Sequence, residues 1–298
     1  MRPNDGPLST GEHVVVIDGI DQAYDVAGNG PVCVVHSGGP GINSDYLRMP
    51  LLEEHLTMVY LDPIGTGESG LLPSGEYFVK TYAHYLDALL NHLDHPRPVL
   101  LGHSHGGMVV LELAMQKSHR IGAVIAYDTA PVYGDELWIE AAQQMAAFAS
   151  RWPERPEAAT AARAWLAGAD HPRSDAAAEQ RFLADVLPAY FADYRHLPHV
   201  DLPPALNITW DPNRDNGSWT GRDRLGHIET PVLIICGDYD FVCPPRWAKE
   251  MHAAIPCSEL SELHSSGHFG YLEQPQDFCD AVLAFIRGSM NSEIESSS

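Results

Sequence analysis

Positive charge is scarce in this chain. Its 298 residues carry 18 Lys and Arg against 40 Asp and Glu, a formal net charge of −22. Nucleic-acid binding draws on clustered Lys and Arg that release counterions from phosphates, so a nucleic-acid partner is not expected. Long apolar runs are also missing. No stretch approaches the roughly 20 residues that span a bilayer, and the opening MRPNDGPLSTGEH lacks the apolar segment of a secretory leader. Neither a membrane nor export is expected. Cysteine is sparse: Cys33, Cys236, Cys243, Cys257 and Cys279 are odd in number, and no pair has CxxC spacing. That pattern fits buried or free thiols in a reducing cytoplasm. No repeat recurs at a solenoid period.

What the chain does have is the makeup of a globular protein, with 45% hydrophobic and 19% charged residues. Apolar β-branched runs alternate with amphipathic stretches. HVVVIDG (13–19) and AYDVAG (23–28) read as a hairpin opening an antiparallel edge. Buried strands are expected in PVCVVHSGG (31–39), TMVYLDPIGTG (57–67), RPVLLG (97–102) and IGAVIAYD (121–128). Between them, residues 78–95 place Tyr82, Tyr85, Leu86, Leu89 and Leu93 on one helical face, and a second helix covers about 104–119. Residues 134–195 are alanine-rich, with helical segments and no strand, and 198–222 read as loop. Strand signal returns at TPVLIICGDYD (230–240), followed by a helix near 245–254, a strand near 258–263 and a last helix near 275–287.

Alternating strands and helices imply an α/β fold whose mostly parallel central sheet is flanked by helices. A helical cap is inserted after the sixth strand. The expected division is a discontinuous core of 1–130 and 223–290, a cap of 131–222 and a flexible tail of 291–298. Ligands of such folds bind at the C-terminal edge of the sheet.

At that edge stands Gly102-His103-Ser104-His105-Gly106, a Gly-x-Ser-x-Gly between a strand and a helix. The pattern marks a nucleophile elbow, in which a serine occupies a strained turn and its neighbours must be small. A phosphate loop would need a Lys that is absent, and His103 with His105 makes a poor metal pair. No metal or cofactor is expected. A serine nucleophile requires a base, and the base an orienting acid, in the chain order Ser, acid, His. Asp240 in GDYD and His268 in SSGHFG supply them, with Asp238 and His264 as the weaker alternatives. Backbone N–H groups of His105 and Gly39, with Gly38 as fallback, are the expected oxyanion donors.

Together, SGGPG (37–41), LDPIGTGESG (61–70), the elbow, GDYDFVCPP (237–245) and SGHFGYLEQP (266–275) resemble the α/β-hydrolase fold, and within it the proline iminopeptidase family. The resemblance spans nearly the whole chain outside the cap. It implies a serine hydrolase acting on a small molecule or short peptide. Two departures stand out. Ser37 occupies a position where the family has histidine. The acids with which that family holds a substrate amino group are also missing, since Phe241 follows Asp240 and DPNRDNGSWTGRDRL lacks glutamate. Asp211 or Asp215 could substitute. Phe241 and Trp219, with the cap aromatics Trp138, Trp165, Tyr190 and Tyr194, suggest a more apolar pocket. The expected activity is cofactor-independent cleavage of an ester, lactone or amide. The alternatives are a proline iminopeptidase, a lyase or C–C hydrolase on the same triad, and a non-catalytic ligand-binding homologue.

Overall fold

A computed structural model describes residues 6–168, 174–196 and 206–296. The β-branched runs form ten strands: β1 (Gly11–Ile17), β2 (Ile20–Gly28), β3 (Val32–His36), β4 (Thr57–Leu61), β5 (Val99–His103), β6 (Ala123–Tyr127), β7 (Val132–Tyr133), β8 (Trp219–Thr220), β9 (Val232–Gly237) and β10 (Ser258–Leu263). Eight make one sheet in the order β1-β2-β4-β3-β5-β6-β9-β10. The pairs β1/β2 and β2/β4 are antiparallel and the rest parallel.

Every residue of β3, β5 and β6 is buried, as expected of strands covered on both faces. Successive side chains enter opposite cores. Val34, Leu100, Val124 and Ile234 lie in one apolar cluster, and Val35, Leu101, Ile125 and Ile235 in the other. The polar SELSEL of β10 suits its place at the sheet edge.

The helices that position the site are α1 (Pro50–Glu53), α2 (Val79–Leu93) and α3 (His105–Lys117) in the sheet domain, then α4 (Asp135–Arg151), α5 (Pro156–Gly168) and α6 (Ala176–Val186). On α2, all five residues of the expected apolar face are buried. Asp175 caps α6 by accepting the Ala178 N–H at 2.8 Å. In the alanine-rich region α4, α5 and α6 appear as helices, and β7 and β8 pair as a ribbon where that segment leaves and rejoins the sheet. Residues 169–173 of the expected cap and 198–205 of the expected loop lie outside the described residues.

The final helix is longer than expected, running from Pro275 to Ser296 rather than ending near 287. No proline interrupts GSMNSEIES, so the backbone ladder continues although the segment is polar. Strand boundaries at 57–67 and 31–39 are also shorter than expected, because their glycines and proline belong to the loops beyond.

Candidate active site

The C-terminal ends of β3, β5, β6 and β9 converge beneath α4–α6 on a cavity of about 490 Å³ lined by Gly38, Gly39, Ser104, His105 and His268 among others. Ser104 sits between β5 and α3 with φ 55° and ψ −122°, a backbone conformation that a side chain rarely adopts. The flanking glycines make it possible. A Cβ on Gly102 would lie 2.3 Å from the Gly106 carbonyl oxygen, and one on Gly106 would lie 2.3 Å from that of His36. The turn leaves the His105 N–H at the start of α3, where helix geometry gives it no acceptor. Among the described residues no hydrogen bond uses it, nor the N–H of Gly39, whose φ is +107°. The Gly38 N–H is already donated to the Tyr46 hydroxyl at 2.7 Å, which leaves Gly39 rather than Gly38 available.

His268 and Asp240 face one another. His268 Nδ1 donates to Asp240 Oδ2 at 2.7 Å, with both side chains nearly inaccessible. The other carboxylate oxygen, Oδ1, accepts the N–H groups of Val242 at 2.8 Å and Cys243 at 3.0 Å, which fixes the carboxylate plane. With its Nδ1 proton committed to Asp240, His268 presents Nε2 as a lone pair. Its backbone N–H donates to the Tyr190 carbonyl at 2.8 Å, tying the loop of the base to the segment after α6. The alternative pair is elsewhere: His264 Nδ1 lies 2.9 Å from Asp238 Oδ2, and that imidazole is 80% exposed. Ser104 and His268 line the same cavity, while the Ser104 hydroxyl makes no hydrogen bond to His268.

Three groups around the triad candidates were not foreseen from sequence. Tyr46 donates its hydroxyl hydrogen to His103 Nδ1 at 2.7 Å, and His103 Nε2 donates to the His268 carbonyl at 2.9 Å. Burial, and then the neighbouring His268, hold the His103 imidazole well below its ordinary range, so it is neutral. The third is Asp128, at the end of β6. Its Oδ1 accepts the Gly237 N–H at 2.8 Å, and its buried Oδ2 has no hydrogen bond. Burial, and then the charge of Asp240, push this carboxyl well above the carboxylate range. Nitrogens of His103 and His268 and an oxygen of Asp128 lie within 4.8 Å of one another. As a metal site they are poor ligands, since both His103 nitrogens and His268 Nδ1 are already hydrogen-bonded.

The LDPIGTGESG segment is a brace. Asp62 Oδ1 accepts the Ser44 N–H at 3.1 Å and Oδ2 accepts that of Glu68 at 3.0 Å, while the Ser69 hydroxyl donates to the Asp62 carbonyl at 2.7 Å. This holds the loop after β3 that carries Gly39.

Of the expected pocket aromatics, Trp138, Trp165 and Tyr190 line the cavity. Phe241 and Trp219 are not among its lining residues. Phe241 packs behind the lining, with ring centroids 5.0 Å from Trp165 and 5.1 Å from Tyr190. Trp219 is fastened on α3, where its Nε1 donates to Glu112 Oε2 at 2.8 Å. Tyr194 packs on Trp152, 5.5 Å away. Of the two acids, Asp211 lines the cavity and Asp215 does not. Both Asp211 oxygens are engaged, Oδ2 by the Tyr77 hydroxyl at 2.8 Å and Oδ1 by the Asn213 N–H at 2.9 Å.

No helix among the described residues is long and apolar enough to cross a membrane. The model of the alpha/beta hydrolase fold family matches residues 30–275. An uncharacterised protein of Mycobacterium bovis is 29% identical over 279 residues, which are 91% of this chain and 79% of that protein. A proline iminopeptidase of Clostridium botulinum is 24% identical over 85% of this chain and 88% of its own. Among solved structures, a thermophilic esterase from Thermogutta terrifontis matches with a TM-score of 0.68 at 21% identity, covering 94% of this chain and 99% of that one. That likeness is one of fold.

Proposed function

This chain belongs to the α/β-hydrolase fold family, and on that premise we propose that it is a cofactor-independent serine hydrolase. Its substrate is an ester, lactone or amide of a small, largely apolar molecule. Ser104 Oγ attacks the acyl carbon as His268 Nε2 takes the hydroxyl proton. Asp240 keeps the imidazole oriented and balances the imidazolium charge. The carbonyl oxygen becomes an oxyanion held by the N–H groups of Gly39 and His105. On collapse the bond to the leaving group breaks, and His268 gives that group the proton. Water then enters, His268 takes one of its protons, and the hydroxide adds to the acyl-enzyme. Breakage of the bond to Ser104 Oγ, with return of the proton, releases the acid. The Ser104–His268 hydrogen bond forms when substrate fills the cavity.

The observation that carries this reading is the meeting, in one cavity, of a strained serine, two unused backbone N–H groups and a His268–Asp240 pair. Five free cysteines further favour a cytoplasmic setting.

A second reading, proline iminopeptidase, draws on the botulinum relative and on the acids Asp211 and Glu179 in the cavity wall. The engaged oxygens of Asp211 weigh against it, because a substrate ammonium needs a free carboxylate. The test is kcat/KM on a free-amine prolyl arylamide, its N-acetyl twin and a short-chain aryl ester, with Ser104→Ala as control. Ester turnover lost in Ser104→Ala, with no advantage for the free amine, is expected. A strong preference for the free amine would establish the peptidase instead, and turnover that survives in Ser104→Ala would overturn both readings.

A further inference from the structure

Arg214 lines the same cavity as Ser104, and among the described residues it has no carboxylate within ion-pair distance. Its guanidinium donates to neutral oxygens only: the Tyr82 hydroxyl at 2.9 Å, the Gly65 carbonyl at 2.7 Å and, weakly, the Thr209 carbonyl at 3.5 Å. A guanidinium has five N–H groups, and these three bonds leave two unused. The ring of Tyr77 lies under it, 4.0 Å from its carbon, which holds the plane in place. The nearby acid of its own loop, Asp211, is turned to Tyr77 and Asn213.

An independent observation points to a ligand at the same place. His105 is 2% exposed and lines the cavity, yet its Nε2 has no hydrogen-bond partner. The ring is clamped edge-on between Tyr82, 5.2 Å away, and Tyr133, 5.4 Å away. Burial, and then the charges of His36 and Arg214, bring it down to about 3, so it is a neutral imidazole beside a cation. A half-buried cation with spare donors gains from an anionic oxygen, and so does the buried His105 Nε2 in the tautomer that carries the ring proton there. Elsewhere the cavity wall is apolar, with Trp165, Phe182, Leu183 and Phe269 among its lining residues.

We propose that the substrate carries a carboxylate, held by Arg214 and His105 while the apolar remainder fills the aromatic side of the cavity. This rests on the hydrolase reading above and names its substrate class. It also bears on the peptidase alternative, since Arg214 repels a substrate ammonium. The net charge of −22 opposes the approach of an anion, so discrimination must come from contacts inside the cavity.

The test compares the nitrophenyl hemiester of glutaric acid with the nitrophenyl ester of pentanoic acid, equal in acyl length and different in the terminal group. The hemiester is expected to have a kcat/KM about tenfold or more higher. Arg214→Gln should bring the ratio near one, and Arg214→Lys should keep part of it. A ratio near one in the unmodified protein, or a preference that survives Arg214→Gln, overturns the assignment while leaving a Ser104-dependent hydrolase in place. The ratio in the unmodified protein is decisive even if Arg214→Gln fails to fold. A parallel measurement needs no turnover: in Ser104→Ala protein, calorimetry should find phenylbutanoate bound about tenfold tighter than phenylbutanamide, and equal binding overturns the proposal. If neither ester is turned over and an alkyl fluorophosphonate leaves Ser104 unlabelled, the hydrolase reading fails, and the calorimetric pair still decides the carboxylate site.

Discussion

The hydroxyl of Tyr46 meets Nδ1 of His103 at 2.7 Å, and that bond joins two sides of the site. Tyr46 also accepts the Gly38 N–H at 2.7 Å, and His103 Nε2 donates to the His268 carbonyl at 2.9 Å. A carbonyl only accepts, so the proton of His103 is assigned to Nε2 and the tyrosine is the donor at Nδ1. Glycine loop, elbow and base loop are thereby one hydrogen-bonded unit.

Tyr46→Phe removes an acceptor from a buried N–H and a donor from a buried imidazole. Urea unfolding should show a loss of about 1–3 kcal/mol. Because these hydrogen bonds join the loop of Gly39, proposed as an oxyanion donor, to the loop of His268, proposed as the base, kcat should also fall, by about tenfold, with KM little changed. A loss of stability with kcat intact would confine the network to a structural role.

Ser104→Ala leaves the elbow with a smaller side chain at the same strained φ. Ester hydrolysis should drop by about 10⁴-fold or more, while circular dichroism and the unfolding midpoint stay close to those of the unmodified protein. Residual turnover within a factor of about ten would assign the chemistry to another group.

Two buried aspartates lie near His268, and their roles separate by substitution. Asp240→Asn removes the charge that faces the imidazole and should lower kcat by about 10⁴-fold. Burial and the charge of Asp240 push Asp128 toward its neutral form, its Oδ1 serves only the Gly237 N–H, and its φ of 43° suits asparagine. Asp128→Asn should therefore leave kcat within about threefold. Equal losses from the two substitutions would mean that Asp128 shares the charge of the acid.

Buried neutral histidines make the fold acid-sensitive. Burial brings His36 down to about 4 and His105 to about 3, and holds His103 lower than its ordinary range. In the unfolded chain these rings take up protons below about pH 6.5, so the unfolded state gains protons first and stability falls as pH drops from there toward each folded value. The slope is about 1.4 kcal/mol per pH unit for each such ring. Asp128, raised in the fold, acts in the opposite sense, gaining stability as pH falls toward its unfolded value. Urea midpoints from pH 7.5 to 5 should show a shallower decline in His36→Asn than in the unmodified chain, on the order of one ring's share of that slope. Asparagine can still donate to the Ser37 carbonyl that His36 Nδ1 meets at 3.0 Å. Parallel curves would mean that His36 does not contribute.

Much of this architecture was legible in the residues themselves. Unbroken apolar runs marked β3, β5, β6 and β9 as strands covered on both faces, because a strand turns successive side chains to opposite sides and a run with no polar residue leaves neither side for water. Glycines at 102 and 106 around Ser104 announced a turn that tolerates no Cβ, a steric demand met within five residues. Local rules of this kind act over a few bonds and leave their mark in spacing. Only the tertiary structure decided which aromatics line the cavity, placing Trp138, Trp165 and Tyr190 in the wall while Phe241 lies behind it and Trp219 is drawn away to Glu112. It likewise decided that Tyr46 reaches His103 across 57 residues, that Asp128 lies near His268, and that Arg214 enters the cavity with no carboxylate within ion-pair distance among the described residues. Those relations depend on how separate elements pack against one another, and no period or spacing along a single chain encodes the distance between side chains that meet only when the sheet closes under its helices.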